Sequence, residues 1–292
     1  MLQIDQELYM ELQKNTIEVK MHSCFHSTWN ARRDQELITF LAGGKCLQPM
    51  SLRFEQPIDF QECRIPTGRP LYLSLSGLSD GAEEIFQFTG FEVKDLKLNL
   101  KRPLEPECAG WIRAFLKKQD EKGIHGIIEG NVNDRFTGYL EPRIQRFRAA
   151  VKTRDHENIL NAVNQTAGCG PGLTPSSDDF LCGYISVMPR TEAYAGIRKV
   201  IADTAAAKTN DISASLLKHA EKGRFSEDIL ELFLGFKTKD RKKTESFIRK
   251  VADFGSSSGC DFLTGMYYGI LDARERKVES IDQVGNQKKC LL

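Results

Sequence analysis

Ser176-Ser177-Asp178-Asp179-Phe180-Leu181-Cys182-Gly183 returns later in the chain as Ser258-Gly259-Cys260-Asp261-Phe262-Leu263-Thr264-Gly265. Both stretches read Ser-x-x-Asp-Phe-Leu-x-Gly. A serine three residues ahead of an acid, just before an apolar run, predicts a helix start with the serine as N-cap and the acid in the capping-box position. Each follows a small-residue loop, Gly168–Gly172 in one case and Gly255–Ser258 in the other. The repeat therefore predicts two helices of like build, related by approximate symmetry. Gly183, Gly265 and Gly269 would let their backbones come close.

Outward from this pair the chain is helical in pattern from about Glu141 nearly to its end. Ile144, Phe147, Ala150 and Val151 share one face, and Ile159, Leu160, Val163 and later Ile197, Val200, Ile201 repeat the spacing. Gly168, Gly223, Gly235 and Gly255 are expected to stop successive segments. Earlier, Trp111-Ile112-x-x-Phe115-Leu116 has helical spacing. The first hundred residues read as strands: Thr16–Met21, Met50–Phe54, Leu71–Leu75, Ile85–Phe88 and Phe91–Leu98, with turn residues between them. The expected architecture is α+β, an N-terminal antiparallel β-rich part followed by a C-terminal helical part. Its segments are 1–103 (β-rich), 104–140 (a transition with one helix), 141–272 (helical, with both helix starts) and 273–292 (a charged tail).

Charged residues make up 28% of the chain, yet the net charge is only +1. Nucleic acid and anionic membrane are therefore not expected partners. The first residues carry acids and lack an apolar core, so a secretory signal is not expected, and no run approaches a bilayer span. The eight cysteines fall in no C-x-x-C spacing, which argues for reduced thiols in a cytoplasmic protein and against a metal site.

Chemistry concentrates in Gly168-Cys169-Gly170-Pro171-Gly172-Leu173-Thr174-Pro175-Ser176-Ser177-Asp178-Asp179. Glycines let the backbone approach a ligand, and free N–H groups at a helix start attract phosphate or carboxylate. No Gly-Lys-Ser/Thr follows, so this is not a Walker loop, and no dinucleotide fingerprint is present. Gly170, Gly172, Leu173, Thr174, Ser176 and Ser177 are the candidate anion-binding residues, with Ser258 and Gly259 from the second start. His22, in the polar run His22 to Asn30, can act as acid or base. In Thr209-Asn210-Asp211-Ile212-Ser213, Asn210 or Asp211 is expected to cap a helix, and Asn210 is a further candidate ligand.

Gly172-Leu173-Thr174-Pro175-Ser176-Ser177-Asp178-Asp179-Phe180-Leu181-x-Gly183 resembles the signature of the AllH family, as does Ser258-Gly259-x-Asp261-x-Leu263-x-Gly265. Thr209-Asn210-x-Ile212-Ser213 and Leu217-x-x-Ala220-x-x-Gly223 also resemble it. His22-Ser23-x-Phe25 with Asn30, and Pro49-Met50-Ser51-Leu52, fit more loosely. The similarity runs over roughly residues 16 to 272. The family motif has glycine where this chain has Ser177, and a side chain there is expected to narrow the approach to the loop.

The resemblance implies one subunit of a bacterial oxamate carbamoyltransferase in anaerobic allantoin breakdown, with AllF-like and AllG-like partner subunits. The implied reaction takes oxalurate and phosphate to oxamate and carbamoyl phosphate. No cofactor is expected, phosphate enters as substrate, and a divalent metal is left open. Attack on the ureido carbonyl develops an oxyanion, which wants fixed donors. On this reading Thr174 is catalytic with the loop, His22 polarises the carbonyl or protonates the leaving nitrogen, and Asp178 orients a donor or a metal-bound water. The alternative is a non-catalytic anion-binding, regulatory or assembly subunit.

Overall fold

The folded chain packs as two units. One comprises the residues up to Leu98 together with Arg224–Leu230, and the other comprises Asn99–Gly223 and the residues from Glu231 on. The computed structural model describes residues 2–120, 123–132 and 134–289, those beyond 273 by backbone alone.

In the first unit the chain runs β1 (Leu2–Asp5), α1 (Gln6–Leu12), β2 (Ile17–Cys24), β3 (Thr28–Arg33), β4 (Glu36–Leu41), β5 (Ser51–Arg53), β6 (Pro70–Leu73), β7 (Gly77–Ser79), β8 (Glu84–Gln87) and β9 (Phe91–Lys94). These strands form one nine-stranded sheet in the order β8-β7-β6-β2-β3-β4-β5-β1-β9. Strand β2 shows why it forms. Ile17, Val19 and Met21 are buried while Glu18 and Lys20 are exposed, the period of two that a half-buried strand requires.

The sheet is largely antiparallel as expected, but β4 pairs parallel with β5 and β1 parallel with β9. Strands β1, β3, β4 and β7 lie outside the expected set. Strand β3 falls partly within the polar run from His22 to Asn30, yet Trp29, Asn30 and Ala31 are buried. Polar composition hid it. The expected strand Phe91–Leu98 ends at Lys94. Asp5, fully buried at the end of β1, accepts the Met50 amide at 2.9 Å and pairs with the buried Arg224. Arg224 thereby ties its segment to the first strand.

In the second unit the helices are α2 (Pro106–Leu116), α3 (Arg135–Thr153), α4 (His156–Thr166), α5 (Ser176–Ser186), α6 (Glu192–Ala206), α7 (Asp211–Glu221), then α8 (Glu227–Thr238), within which the division falls, α9 (Arg241–Ala252) and α10 (Ser258–Lys289). A 3-10 turn, His125–Glu129, lies between α2 and α3. Helix α3 starts at Arg135, ahead of the expected Glu141, because the Asp134 carboxylate caps it by accepting the Phe136 and Thr137 amides. Gly235, expected as a stop, lies inside α8. A Cβ there would crowd Thr244 and the Phe247 ring of α9, so its role is close helix contact. Helix α10 continues through the segment expected as a tail.

Helix α5 is buried along its whole length. Its partner is α10, and the contact is backbone on backbone. A Cβ on Gly183 would run into the Phe262 carbonyl, and one on Gly265 into the Phe180 carbonyl. The two positions are equivalent in the repeat, so the contact has the approximate twofold symmetry that the repeat predicts. Gly269 is also close, with the Val187 side chain against it. Phe147, Phe180, Tyr184 and Tyr268 stack edge-on or tilted around the helix pair. Farther along, buried Asp272 is held by Arg148 at 2.7 Å and by the Tyr184 hydroxyl at 3.1 Å.

Gly183→Ala and Gly265→Ala should each destabilise the chain by about 1–3 kcal/mol or more, the usual cost of overpacking. Gly110→Ala, at a helical position where a Cβ meets open space, should instead stabilise by up to ~1 kcal/mol. Urea unfolding of the three variants measures this. Equal effects at all three positions would refute the close contact.

Candidate functional site

The loop before α5 is folded back on the helix it precedes. The Ser177 amide donates to the Cys169 carbonyl at 3.0 Å, and the Cys169 amide donates to Ser177 Oγ at 2.8 Å. The Gly168 amide donates to Asp178 Oδ1 at 2.7 Å, while the Thr209 hydroxyl donates to the other oxygen of the same carboxylate. Gly168, Gly170 and Gly172 all have positive φ. At Gly170 the reason is visible: a Cβ there would meet the Ser176 amide. On the outer side, Asn210 caps α7 by accepting the Ile212 and Ser213 amides and donates Nδ2 to the Leu173 carbonyl at 2.8 Å.

Two expectations change here. Ser176 is not an N-cap: Pro175 occupies that position, without a side-chain cap, and Ser176 is the first helical residue. Asp179 and Asp261 likewise do not act as capping-box acids within their own helices. Each acid faces one hydroxyl of its own helix start and one of the other. Thr174 and Ser258 face Asp179, and Ser257 and Ser176 face Asp261. Thr174 Oγ1 and Ser258 Oγ lie 2.8 Å apart. Ser177 points inward and is fully buried, so its side chain does not narrow the approach to the loop.

The acids are the least ordinary groups present. Asp178 is raised above the usual carboxyl range by burial, opposed by the Gly168 amide and the Thr209 and Ser177 hydroxyls. Asp179 is raised much further, by burial and then by the charge of Asp261, against the Ser258 and Thr174 hydroxyls. Asp261 is pushed up to about 6 by burial, even though the Ile124 amide donates to its Oδ1 at 2.7 Å. Asp179 Oδ2 and Asp261 Oδ2 are buried, and each lacks a well-formed hydrogen bond. Neither acid has an ion-pair partner among the described residues.

The structure thus gathers Gly170, Gly172, Leu173, Thr174, Ser176, Ser177, Asp178 and Asn210 in one loop system, with Ser258 beside Thr174. Gly259 has another employment: its amide donates to the Phe254 carbonyl at 3.0 Å, and a Cβ would strike the Val251 carbonyl. His22 belongs to the first unit, at a bulge in β2 between Met21 and Ser23, where bulges characteristically re-aim a side chain. Its Nδ1 lies 3.0 Å from Ser23 Oγ, which also accepts Asn30 Nδ2. Sequence reasoning missed three participants. Thr209 was legible as a hydroxyl next to a capping Asn. The Asp179–Asp261 pairing was encoded in the repeat itself. The Gly123–Ile124 contact on Asp261 carries no local signal.

Residues 166–270 match the family model described as oxamate carbamoyltransferase subunit AllH, and residues 1–89 match that of the AllH family N-terminal domain. The chain belongs to the AllH family. The first match contains the loop, both helix starts, Thr209 and Asn210, and the second contains β1 through β8 and His22. No solved structure matches the chain. Among the described residues, no helix is long and apolar enough to cross a membrane.

Burial of Asp261 has a consequence for stability. The folded pKa, about 6, exceeds the ordinary 3.8. The folded state therefore holds the proton longer than the unfolded chain does. Asp261's contribution is full below 3.8 and is lost as pH rises through about 6. Asp261→Asn, which mimics the protonated form, should gain stability relative to the unaltered chain as pH rises from 4 to 7. Paired urea unfolding across that range reads the difference, and a constant difference would show Asp261 to be unperturbed.

Proposed function

We propose that this chain is the anion-binding and carbonyl-polarising subunit of a carbamoyltransferase converting oxalurate and phosphate to oxamate and carbamoyl phosphate. The carrying observation is the juxtaposition of donors at the α5 start. The amides of Gly170, Gly172, Leu173 and Thr174 make no hydrogen bond among the described residues, and the Thr174 and Ser258 hydroxyls lie beside them. Both substrates are anions, and the tetrahedral intermediate carries an oxyanion. Fixed N–H and O–H donors that need no reorganisation are what such a step requires.

The division of labour differs from a bare helix-dipole site. The Ser177, Asp178 and Asp179 amides donate to the Cys169 and Pro175 carbonyls, so the loop rather than the α5 terminus supplies the free donors. Asp178, bonded through both oxygens, acts by holding Gly168 and Thr209 in place. Leu173 contributes through its backbone: its side chain is exposed and its carbonyl is taken by Asn210. The family description as a subunit supports protein partners, and AllF-like and AllG-like chains are the partners we propose. Phosphate serves as substrate in a cytoplasmic complex.

Phosphate or oxamate should raise the melting temperature more than chloride at equal ionic strength, a saturating ligand at a hundred times Kd adding about 2.7 kcal/mol. In the complex assembled with its partners, Thr174→Val or Ser258→Ala should lower carbamoyl phosphate formation by about 10²–10³-fold, as loss of an oxyanion donor does. Anion stabilisation with unchanged turnover in both variants would mark a binding or regulatory subunit instead. Identical effects of all salts would remove the anion site.

A further inference from the structure

We propose that Asp179 and Asp261 hold one proton between them and relay it to and from bound substrate through the Ser258–Thr174 hydroxyl pair, an inference that rests on the carbamoyl-transfer reading above. Four observations converge. The two acids occupy the same position of the repeated helix start, and the glycine contact of α5 on α10 brings those starts together. Each acid faces one hydroxyl of its own helix start and one of the other, and the two at Asp179, Thr174 and Ser258, lie 2.8 Å apart. Asp179 is 6% exposed and Asp261 0%, and each keeps an Oδ2 without a well-formed hydrogen bond. Among the described residues, the ionisable groups that bear on them are acids or a thiol: Asp178 and Cys182 on α5, besides the two acids themselves. From the turn before α3, the Gly123 backbone and the Ile124 amide meet Asp261.

Two buried carboxylates close to each other, with no compensating cation among the described residues, cannot both remain ionised at low cost. A single retained proton resolves the repulsion and also supplies a donor for an otherwise unpaired oxygen. The alternative of a purely apolar solution at these positions would have stabilised a helix contact equally well, so a function for the pair is the economical reading.

Phosphorolysis requires such a device. The phosphate oxygen forms a bond to the carbamoyl carbon, and the bond from that carbon to the ureido nitrogen breaks. Hydrogen phosphate gives up one proton, and the departing nitrogen takes up one, so the reaction is proton-neutral. A pair carrying one proton returns to its starting state after every turnover. The buried acids do not reach substrate themselves. Ser258 and Thr174, bonded to Asp179 and to one another, pass the proton in and out. Asp179 and Asp261 are therefore positioning residues, and the two hydroxyls are the groups that touch substrate.

The proton is read first without activity. Infrared spectra of the full chain near neutral pH should contain the C=O stretch of a buried carboxylic acid, and that band should vanish in Asp179→Asn and titrate away at lower pH in Asp261→Asn, which removes the neighbouring charge but not the burial. If either variant fails to fold, a carbon-13 NMR titration of the aspartate carboxyls in the unaltered chain decides the matter. One buried carboxyl still protonated at neutral pH supports the pair, and full ionisation overturns it. The assembled complex is read second. Asp179→Asn should lower turnover about 10²-fold or more and abolish one limb of the pH profile, while phosphate still stabilises the variant. An unchanged pH profile overturns the relay. Loss of phosphate stabilisation in the unaltered chain, with the acid band intact, strikes the anion-site reading instead.

Discussion

The contact of α5 on α10, with Gly183 against the Phe262 carbonyl and Gly265 against the Phe180 carbonyl, is the constraint on which the second unit depends. Side chains of any size at these two positions would push the axes apart. With the axes close, both helix starts are drawn inside the protein, and their polar residues go with them. A buried polar group without a partner is costly. Everything around the starts can be understood as an answer to that cost.

The answer is distributed. Helix α5 cannot satisfy its first turn from solvent, so the loop from Gly168 turns back to do it, and three left-handed glycines are the means. Asp178 and Ser177 spend their oxygens on loop amides and on Thr209. Ser176 and Ser258 each serve the acid of the opposite helix. What is left over at the starts includes a few loop amides, two touching hydroxyls and two carboxyl oxygens. Donors and acceptors left open in this way are where a ligand gains by binding.

The helical half was the more legible half. Period and glycine spacing located the helix pair, and the repeat implied its symmetry. Capping chemistry correctly placed Asn210, because its role is local. It misplaced Ser176 and Asp179 because their true partners lie on the other helix, and a local pattern cannot tell a crossed bond from a capping one. The β part was harder for a related reason. Strand β1 forms through distant pairing with β5 and β9, and in the hairpins of β3, Asn30 is buried because Thr39 and Ser23 satisfy it across neighbouring strands. Composition read such residues as a polar loop.

The Arg224–Leu230 segment carries an implication for how this protein is made. Asp5 is fully buried, and its cationic partner Arg224 arrives more than two hundred residues later. During synthesis the early strands must wait, with that carboxyl uncompensated, until most of the chain has left the ribosome. The same interleaving means that a gene cut after Leu98 would encode a sheet whose buried anion has lost its counter-charge.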